Sequence, residues 1–232
     1  MRAIFFGTPA LAVPSLVALA EIAEVAGVVT QPDRPAGRGM KTQPPAVKSA
    51  ALERGFDVFQ PEKVRSGELL RWLADRSPDV SLVIAYGRIL PTDVLDAPRR
   101  GAMNLHASLL PKFRGAAPIN WAITQGETET GVSLMQMDAG LDTGPVFVRE
   151  TLAIGPEENA GELAARISEL AARVVRTHLA RAVGGELVSE PQDESLASHA
   201  PLIESRHRLV DFSQPAERVS DLVRGMAPSP GA

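Results

Sequence analysis

The run Asn104-Leu105-His106-Ala107-Ser108-Leu109-Leu110-Pro111-Lys112-Phe113-Arg114-Gly115, followed by Gly140-Leu141-Asp142-Thr143-Gly144, places a carboxamide, an imidazole and a carboxylate on two segments of one chain. A carboxamide donates hydrogen bonds to a developing oxyanion. A histidine moves a proton near neutral pH, and a carboxylate orients that histidine and stabilises its cation. The combination suits acyl transfer. Residues 102–106 alternate, so on a strand Asn104 and His106 share one side. A loop begins right after His106, which puts both groups at the carboxyl end of a strand, where open α/β sheets place their ligands. The glycines flanking Asp142 allow unusual backbone angles and close approach, so their loop can carry the carboxylate to the same crevice. The same residues also fit ordinary structure: an Asn or His at a strand end is often a satisfied turn or core group, and Asp between glycines is a common turn.

These groups need a sheet beneath them. Residues 2–6 form a short apolar run closed by Gly7-Thr8-Pro9, and residues 11–22 carry a helical apolar pattern. Strands are expected at 24–30 and 57–59, with helices at 45–54 and 69–74. Residues 80–85 are continuously apolar apart from Ser81, as in a buried parallel strand, and 102–106 form another. Strands alternating with helices predict an α/β fold, a Rossmann-like, doubly wound, mostly parallel sheet. Two further strands, 131–137 and 145–154, are joined by the Asp142 loop. Leu163, Ile167, Leu170, Val174, Val175, Leu179 and Val183 step by threes and fours, predicting one long helix that covers the sheet and ends at Gly184-Gly185. The chain therefore divides into a sheet-and-helix domain over 1–185, a polar linker over 186–203 and a last segment over 204–232. A last helix is expected at 215–226.

Composition narrows the chemistry. At 232 residues and 44% apolar, the chain can bury a sizeable core. It has no cysteine, which excludes a thiolate nucleophile, a disulfide framework and a cysteine metal site. Its four histidines, His106, His178, His199 and His207, are not spaced as a metal set with carboxylates, so a metal-free mechanism is expected. The opening apolar run is too short for a signal peptide, and no window has the length to span a bilayer. A cytoplasmic protein without a membrane partner, working as a monomer, is the expectation. A net charge of -4 argues against non-specific coating of nucleic acid. After the first strand, Gly7-Thr8-Pro9-Ala10-Leu11-Ala12 lacks the second and third glycines of a dinucleotide fingerprint, and no phosphate-binding P-loop is present.

The two chemistry-bearing segments resemble the signature of the formyltransferases that use 10-formyltetrahydrofolate. Phe6-Gly7-Thr8-Pro9, the stretch Thr30-Gln31-Pro32-Asp33-Arg34-Pro35-Ala36-Gly37-Arg38-Gly39 and Met135-Gln136-Met137-Asp138 are similar to the branch whose acceptor is initiator methionyl-tRNA. The likeness runs from Met1 to about Gly185. It implies transfer of a formyl group from 10-formyltetrahydrofolate, as co-substrate, to the α-amino group of methionine on initiator tRNA. It also implies roles: Asn104 as donor to the oxyanion, His106 as proton carrier, and Asp142 as the group that holds His106 and a water and accepts the amine's proton. Ser108, Leu109, Leu110 and Pro111 would line the folate site, with Gly87, Arg88, Ile89 and Leu90 as its other wall. Val83 and Ile84 are expected to be core.

Residues 31–48 form a long loop with four cations, Arg34, Arg38, Lys41 and Lys48, against one carboxylate, Asp33. A loop of that length within a compact α/β unit is more often functional than not. Arg38 and Lys41 are the expected contacts to tRNA, since RNA ends are recognised through backbone phosphates and splayed bases. Within the family the same triad serves other amines, among them amino-sugar nucleotides, whose enzymes share the residues around Arg114 to Trp121. That is the alternative acceptor, and a catalytically idle tRNA-binding remnant is the alternative class. The residues around Arg224 to Ala232 resemble the entry to a C-terminal barrel, which implies that 1–185 is the catalytic domain and 204–232 the start of a truncated C-terminal domain. The helix before them, lacking its barrel partner, is expected to be mobile for want of a surface to cover.

Overall fold

A computed structural model describes residues 1–36 and 41–232. Its main sheet has the strands β1 (Arg2–Gly7), β2 (Glu24–Val29), β5 (Val58–Phe59), β6 (Val80–Ile84), β7 (Ala102–His106), β8 (Glu129–Gln136) and β9 (Val146–Ala153). They lie in the order β5-β2-β1-β6-β7-β8-β9. The first five in that order run parallel, whereas β8 is antiparallel to β7, and β9 to β8. A second, two-stranded ribbon pairs β3 (Arg34–Ala36) with β4 (Lys41–Gln43).

Successive side chains of a strand face opposite ways, and the core divides accordingly. On β1, Ala3 and Phe5 join a cluster with Leu16 and Leu19 of α1 (Val13–Ile22) and Val47 of α2 (Ala46–Glu53). That cluster also takes in Ile123 of α5 (Pro118–Thr124) and Leu163 and Ile167 of α6 (Ala160–Val174). Ile4 and Phe6 turn to the other face, against Leu69 and Leu73 of α3 (Glu68–Arg76) and Val94 of α4 (Thr92–Leu95). Each fully buried side chain of this size contributes about 1.5–3 kcal/mol relative to exposure. Helices on both faces make the sheet doubly wound, as the alternation of strands and helices predicts.

Helix α6 begins at a capping box. The Asn159 side chain accepts from the Gly161 and Glu162 amides at 2.9 and 3.0 Å, and Glu162 accepts the Asn159 amide at 3.0 Å. The expected single long helix is interrupted: Val175–Leu179 is a π turn before α7 (Ala180–Val183). Val174, Val175 and Leu179 all stay buried through this turn.

Two expectations about the chain are corrected. The 31–48 segment is not a plain loop but holds the β3–β4 ribbon. Lys48 Nζ is paired with Asp33 at 2.8 Å, which removes it from the basic set. The last helix, α8 (Ala216–Met226), does have a surface to cover. It packs on α5, a helix not anticipated from the sequence, with the Asn120 side-chain amide donating to the Gly225 carbonyl at 2.7 Å. Arg224 donates to the Glu158 carbonyl at 2.8 Å, and Met226 is fully buried.

Candidate active site

Strand β7 ends with Asn104 and His106 beside β6 on one side and β8 on the other: Asn104 is level with Val83 and Met135, and His106 with Ser133. Met103 and Leu105 point into the larger core, so Asn104 and His106 turn to the opposite face. Both side chains are almost enclosed, 9% and 5% exposed. Because β8 runs back along β7, the connection from β8 to β9 brings Asp142 over that strand. Asp142 Oδ1 lies 3.4 Å from Asn104 Nδ2, and Oδ2 lies 3.6 Å from His106 Nδ1. The three groups singled out in the sequence are thus brought to one place.

The distances are longer than settled hydrogen bonds, as is common for reacting groups before substrate closes around them. Firmer contacts fix the outer ends. His106 Nε2 lies 2.8 Å from the Phe113 carbonyl oxygen, and since a carbonyl only accepts, that nitrogen carries the proton. In the neutral ring, Nδ1 is therefore the open acceptor, turned toward Asp142. The Gly115 amide donates to Asp142 Oδ2 at 2.9 Å and keeps the carboxylate in place.

Backbone strain gathers at the same spot. Four non-glycine residues among those described have positive φ, and three are here: Ala85 (47°), Phe113 (61°) and Asp142 (54°). The left-handed region crowds a Cβ and costs on the order of 1–3 kcal/mol per residue, so surrounding contacts must enforce it. The unusual dihedral belongs to Asp142 and not to its flanking glycines, which are there for close approach. A Cβ on Gly144 would lie 1.9 Å from the Gln136 carbonyl oxygen.

A cavity of about 940 Å³ opens beside these groups. Asn104, His106 and Asp142 form one wall, and the stretch from Val83 through Leu90 forms another. Volumes of this order suit a large organic ligand. Gly87, Arg88, Ile89 and Leu90 line the cavity, as do Val83 and Ile84, which were expected to be core alone. The turn at Gly87 is pinned from behind, where the Tyr86 carbonyl accepts from both Thr8 Oγ1 and Gln31 Nε2 at 2.8 Å. The Tyr86 ring is buried against Phe6, and that burial pushes its phenol up to about 12.

Ser108, Leu109, Leu110 and Pro111 are not brought into this cavity. Ser108 Oγ donates to the Lys112 carbonyl at 2.6 Å, and the Leu110 amide donates to Ser133 Oγ at 3.1 Å, so this turn is tied into the body of the sheet. Leu109 and Pro111 line a separate hollow of about 270 Å³. Of the expected tRNA contacts, Arg38 lies outside the described residues, and Lys41 begins β4.

Several lining groups carried no signal in the sequence. His199, Pro201 and Leu202 close one side of the cavity although they belong to the stretch after residue 185. Arg114 is 3% exposed, yet its guanidinium donates to Gln192 Oε1 at 3.0 and 2.9 Å and to both Glu194 oxygens at 2.9 and 2.8 Å. The hydrogen bonds between Arg114 and Glu194 raise the Arg114 pKa and lower that of Glu194. A buried arginine announces the need for a partner, but nothing in the sequence says which residue it is.

The family model described as formyl transferase matches residues 1–179. A methionyl-tRNA formyltransferase of Sorangium cellulosum is 60% identical over 232 residues, all of this chain and 75% of that relative. One of Geobacter metallireducens is 49% identical over 230 residues, 99% of this chain and 74% of its own length. The chain thus spans about three quarters of these relatives. Among solved structures, a 4-N formyltransferase from Francisella tularensis aligns with a TM-score of 0.76 at 12% identity, covering 99% of this chain and 89% of that one. The sugar 3N-formyl transferase WlaRD, solved in the presence of dTDP and 5-N-formyl-THF, aligns at 0.74 and 16% identity, over 97% of this chain and 78% of its own. The chain belongs to the formyl transferase family and is a formyl-transferring enzyme.

Proposed function

We propose that this member of the formyl transferase family moves the formyl group of 10-formyltetrahydrofolate to the α-amino group of methionyl-initiator tRNA, for translation initiation. The convergence of Asn104, His106 and Asp142 on one wall of the large cavity carries the chemical reading. The acceptor is supported by relatives named methionyl-tRNA formyltransferase at 47–60% identity. The likeness to solved sugar N-formyltransferases is at 13–16% identity and speaks for the fold alone.

An α-amino group titrates at about pH 7.7–8.0, so a useful neutral fraction is present near neutrality. Its nitrogen attacks the formyl carbon and a tetrahedral oxyanion forms. Asn104 Nδ2 donates to that oxyanion. The proton lost by the amine passes to Asp142, directly or through water, and His106 Nδ1 serves as the second proton station. The bond from the formyl carbon to N10 of the folate breaks as N10 takes up a proton. The products are the N-formyl amine and tetrahydrofolate.

Gly87, Arg88, Ile89 and Leu90 are assigned to the folate on the strength of the cavity they line. For Ser108, Leu109, Leu110 and Pro111 the folate role rests on the sequence resemblance alone. Arg38 and Lys41 are assigned to tRNA. Residues 1–185 form the catalytic unit in this reading, 186–203 the connection and 204–232 the start of a further unit. The enzyme works as a monomer in the cytoplasm. Among the described residues no helix is long and apolar enough to cross a membrane. The deciding assay supplies 10-formyltetrahydrofolate with methionyl-tRNA in one reaction and an amino-sugar nucleotide in another. Formylation of the tRNA is expected, and transfer to the sugar alone would replace the acceptor.

A further inference from the structure

We infer that Gln192, from the stretch after the catalytic unit, is a positioning residue that holds Asp142 in its working conformation. The inference rests on the catalytic assignment of Asp142 above. Gln192 Nε2 donates to the carbonyl of Asp142 at 2.8 Å and to that of Gly144 at 2.7 Å. Its Oε1 accepts twice from Arg114. The side chain is 9% exposed and uses both donors and its acceptor. Arg114 in turn is gripped by both oxygens of Glu194, two residues farther along the same segment.

The physical need for such a clamp is visible at Asp142 itself. Its φ of 54° lies in the region that residues with a Cβ avoid, so the loop requires outside contacts to stay there. The loop's own hydrogen bonds, from the Gly140 amide and Thr143 Oγ1 to Asp138, order it internally but tie it to nothing beyond. Gly115 fixes the carboxylate end and Gln192 fixes the backbone end. Gly115 directly follows Arg114, so both ends of Asp142 are held through one short stretch of chain. A neutral amide suits this position because it delivers two donors to the carbonyls without placing a second charge beside the carboxylate. Arg114 stays behind it with Glu194 as its counter-charge. Release of the backbone end would let Asp142 drift relative to Asn104 and His106, and misplacement by about 1 Å can cost roughly 10²-fold in rate.

Gln192→Glu separates positioning from packing, because a carboxylate keeps the volume and the Arg114 contact but cannot donate to the two carbonyls. In the full chain, kcat for formyl transfer from 10-formyltetrahydrofolate to methionyl-tRNA is expected to fall about 10- to 100-fold, with both KM values within about twofold. Gln192→Ala should behave alike if it folds. Hydrogen exchange of the amides of residues 138–144 should quicken in Gln192→Glu, with no change in the β1 and β6 amides. A Gln192→Glu variant with parental kcat, or with unchanged exchange at 138–144, overturns the inference. If the parent does not formylate methionyl-tRNA, the acceptor reading fails while the exchange measurement still decides the role of Gln192.

Discussion

His106 turns Nε2 to the Phe113 carbonyl at 2.8 Å and leaves Nδ1 facing Asp142 Oδ2 at 3.6 Å. The proton on Nε2 is thereby committed to the backbone, and only Nδ1 is free to exchange one with the reaction. His106→Gln can still donate to the Phe113 carbonyl but has no basic nitrogen. The variant is expected to fold, with kcat down about 10²–10⁴-fold, the range for loss of a positioned acid or base. Asn104→Ala removes an oxyanion donor and should cost about 10²–10³-fold in kcat. Parental turnover in either variant with saturating donor would show that the reaction does not use that side chain.

Particular residues show how far the sequence discloses this site. Asn104 and His106 are legible because a two-residue period on a short apolar strand fixes which side each faces. Asp142 is legible as a carboxylate in a glycine-flanked loop, though the pattern places the unusual dihedral on the glycines and the structure places it on Asp142. Gln192 and Glu194 are not legible: they lie 78 and 80 positions from Arg114 in a polar run with no period, where one amide looks like any other. Helix α5 escapes the strand-and-helix alternation although Pro118 at its start and Ile119, Ala122 and Ile123 at helical spacing mark it. Without α5, α8 has no evident support.

The docking of α8 makes a stability prediction. Met226 is fully buried, and the Asn120 and Arg224 hydrogen bonds flank it. Met226→Ala should therefore cost about 2–5 kcal/mol, as for other large-to-small changes in a core. Equilibrium urea unfolding would read this loss, and a change within about 0.5 kcal/mol, the range of an ordinary surface substitution, would mean that α8 is not packed as described.

The β3–β4 ribbon and the residues between its strands should serve the acceptor and not the folate. Lys48 is neutralised by Asp33, and the other cations of this segment are Arg34, Arg38 and Lys41. Arg38→Ala and Lys41→Ala are each expected to raise KM for tRNA several-fold. Each should also lower the salt slope of tRNA binding by about one, with KM for 10-formyltetrahydrofolate unchanged. An equal loss for both ligands would point to a folding defect in place of a lost contact.

The Arg114–Glu194 pair should make the clamp on the Asp142 loop sensitive to acid. The hydrogen bonds from Arg114 hold the Glu194 carboxyl below its ordinary value of 4.5. A carboxylate whose pKa is depressed on folding contributes stability in full above its unfolded value, and that contribution is lost as pH falls through the folded one. The window therefore lies below about pH 4.5, and nothing is expected from this pair between about pH 6 and 8. Asp33 and Asp79 are also depressed and contribute to acid unfolding of the parent, so the informative quantity is a difference. Glu194→Gln removes this titration and leaves the others. Stability measured from about pH 6 down to about pH 3 should fall less steeply in Glu194→Gln than in the parent, with the two curves converging at the acid end. Parallel curves would show that the ion pair, open to solvent on its Glu194 side, is screened too well to support the loop, and that Gln192 holds Arg114 without it.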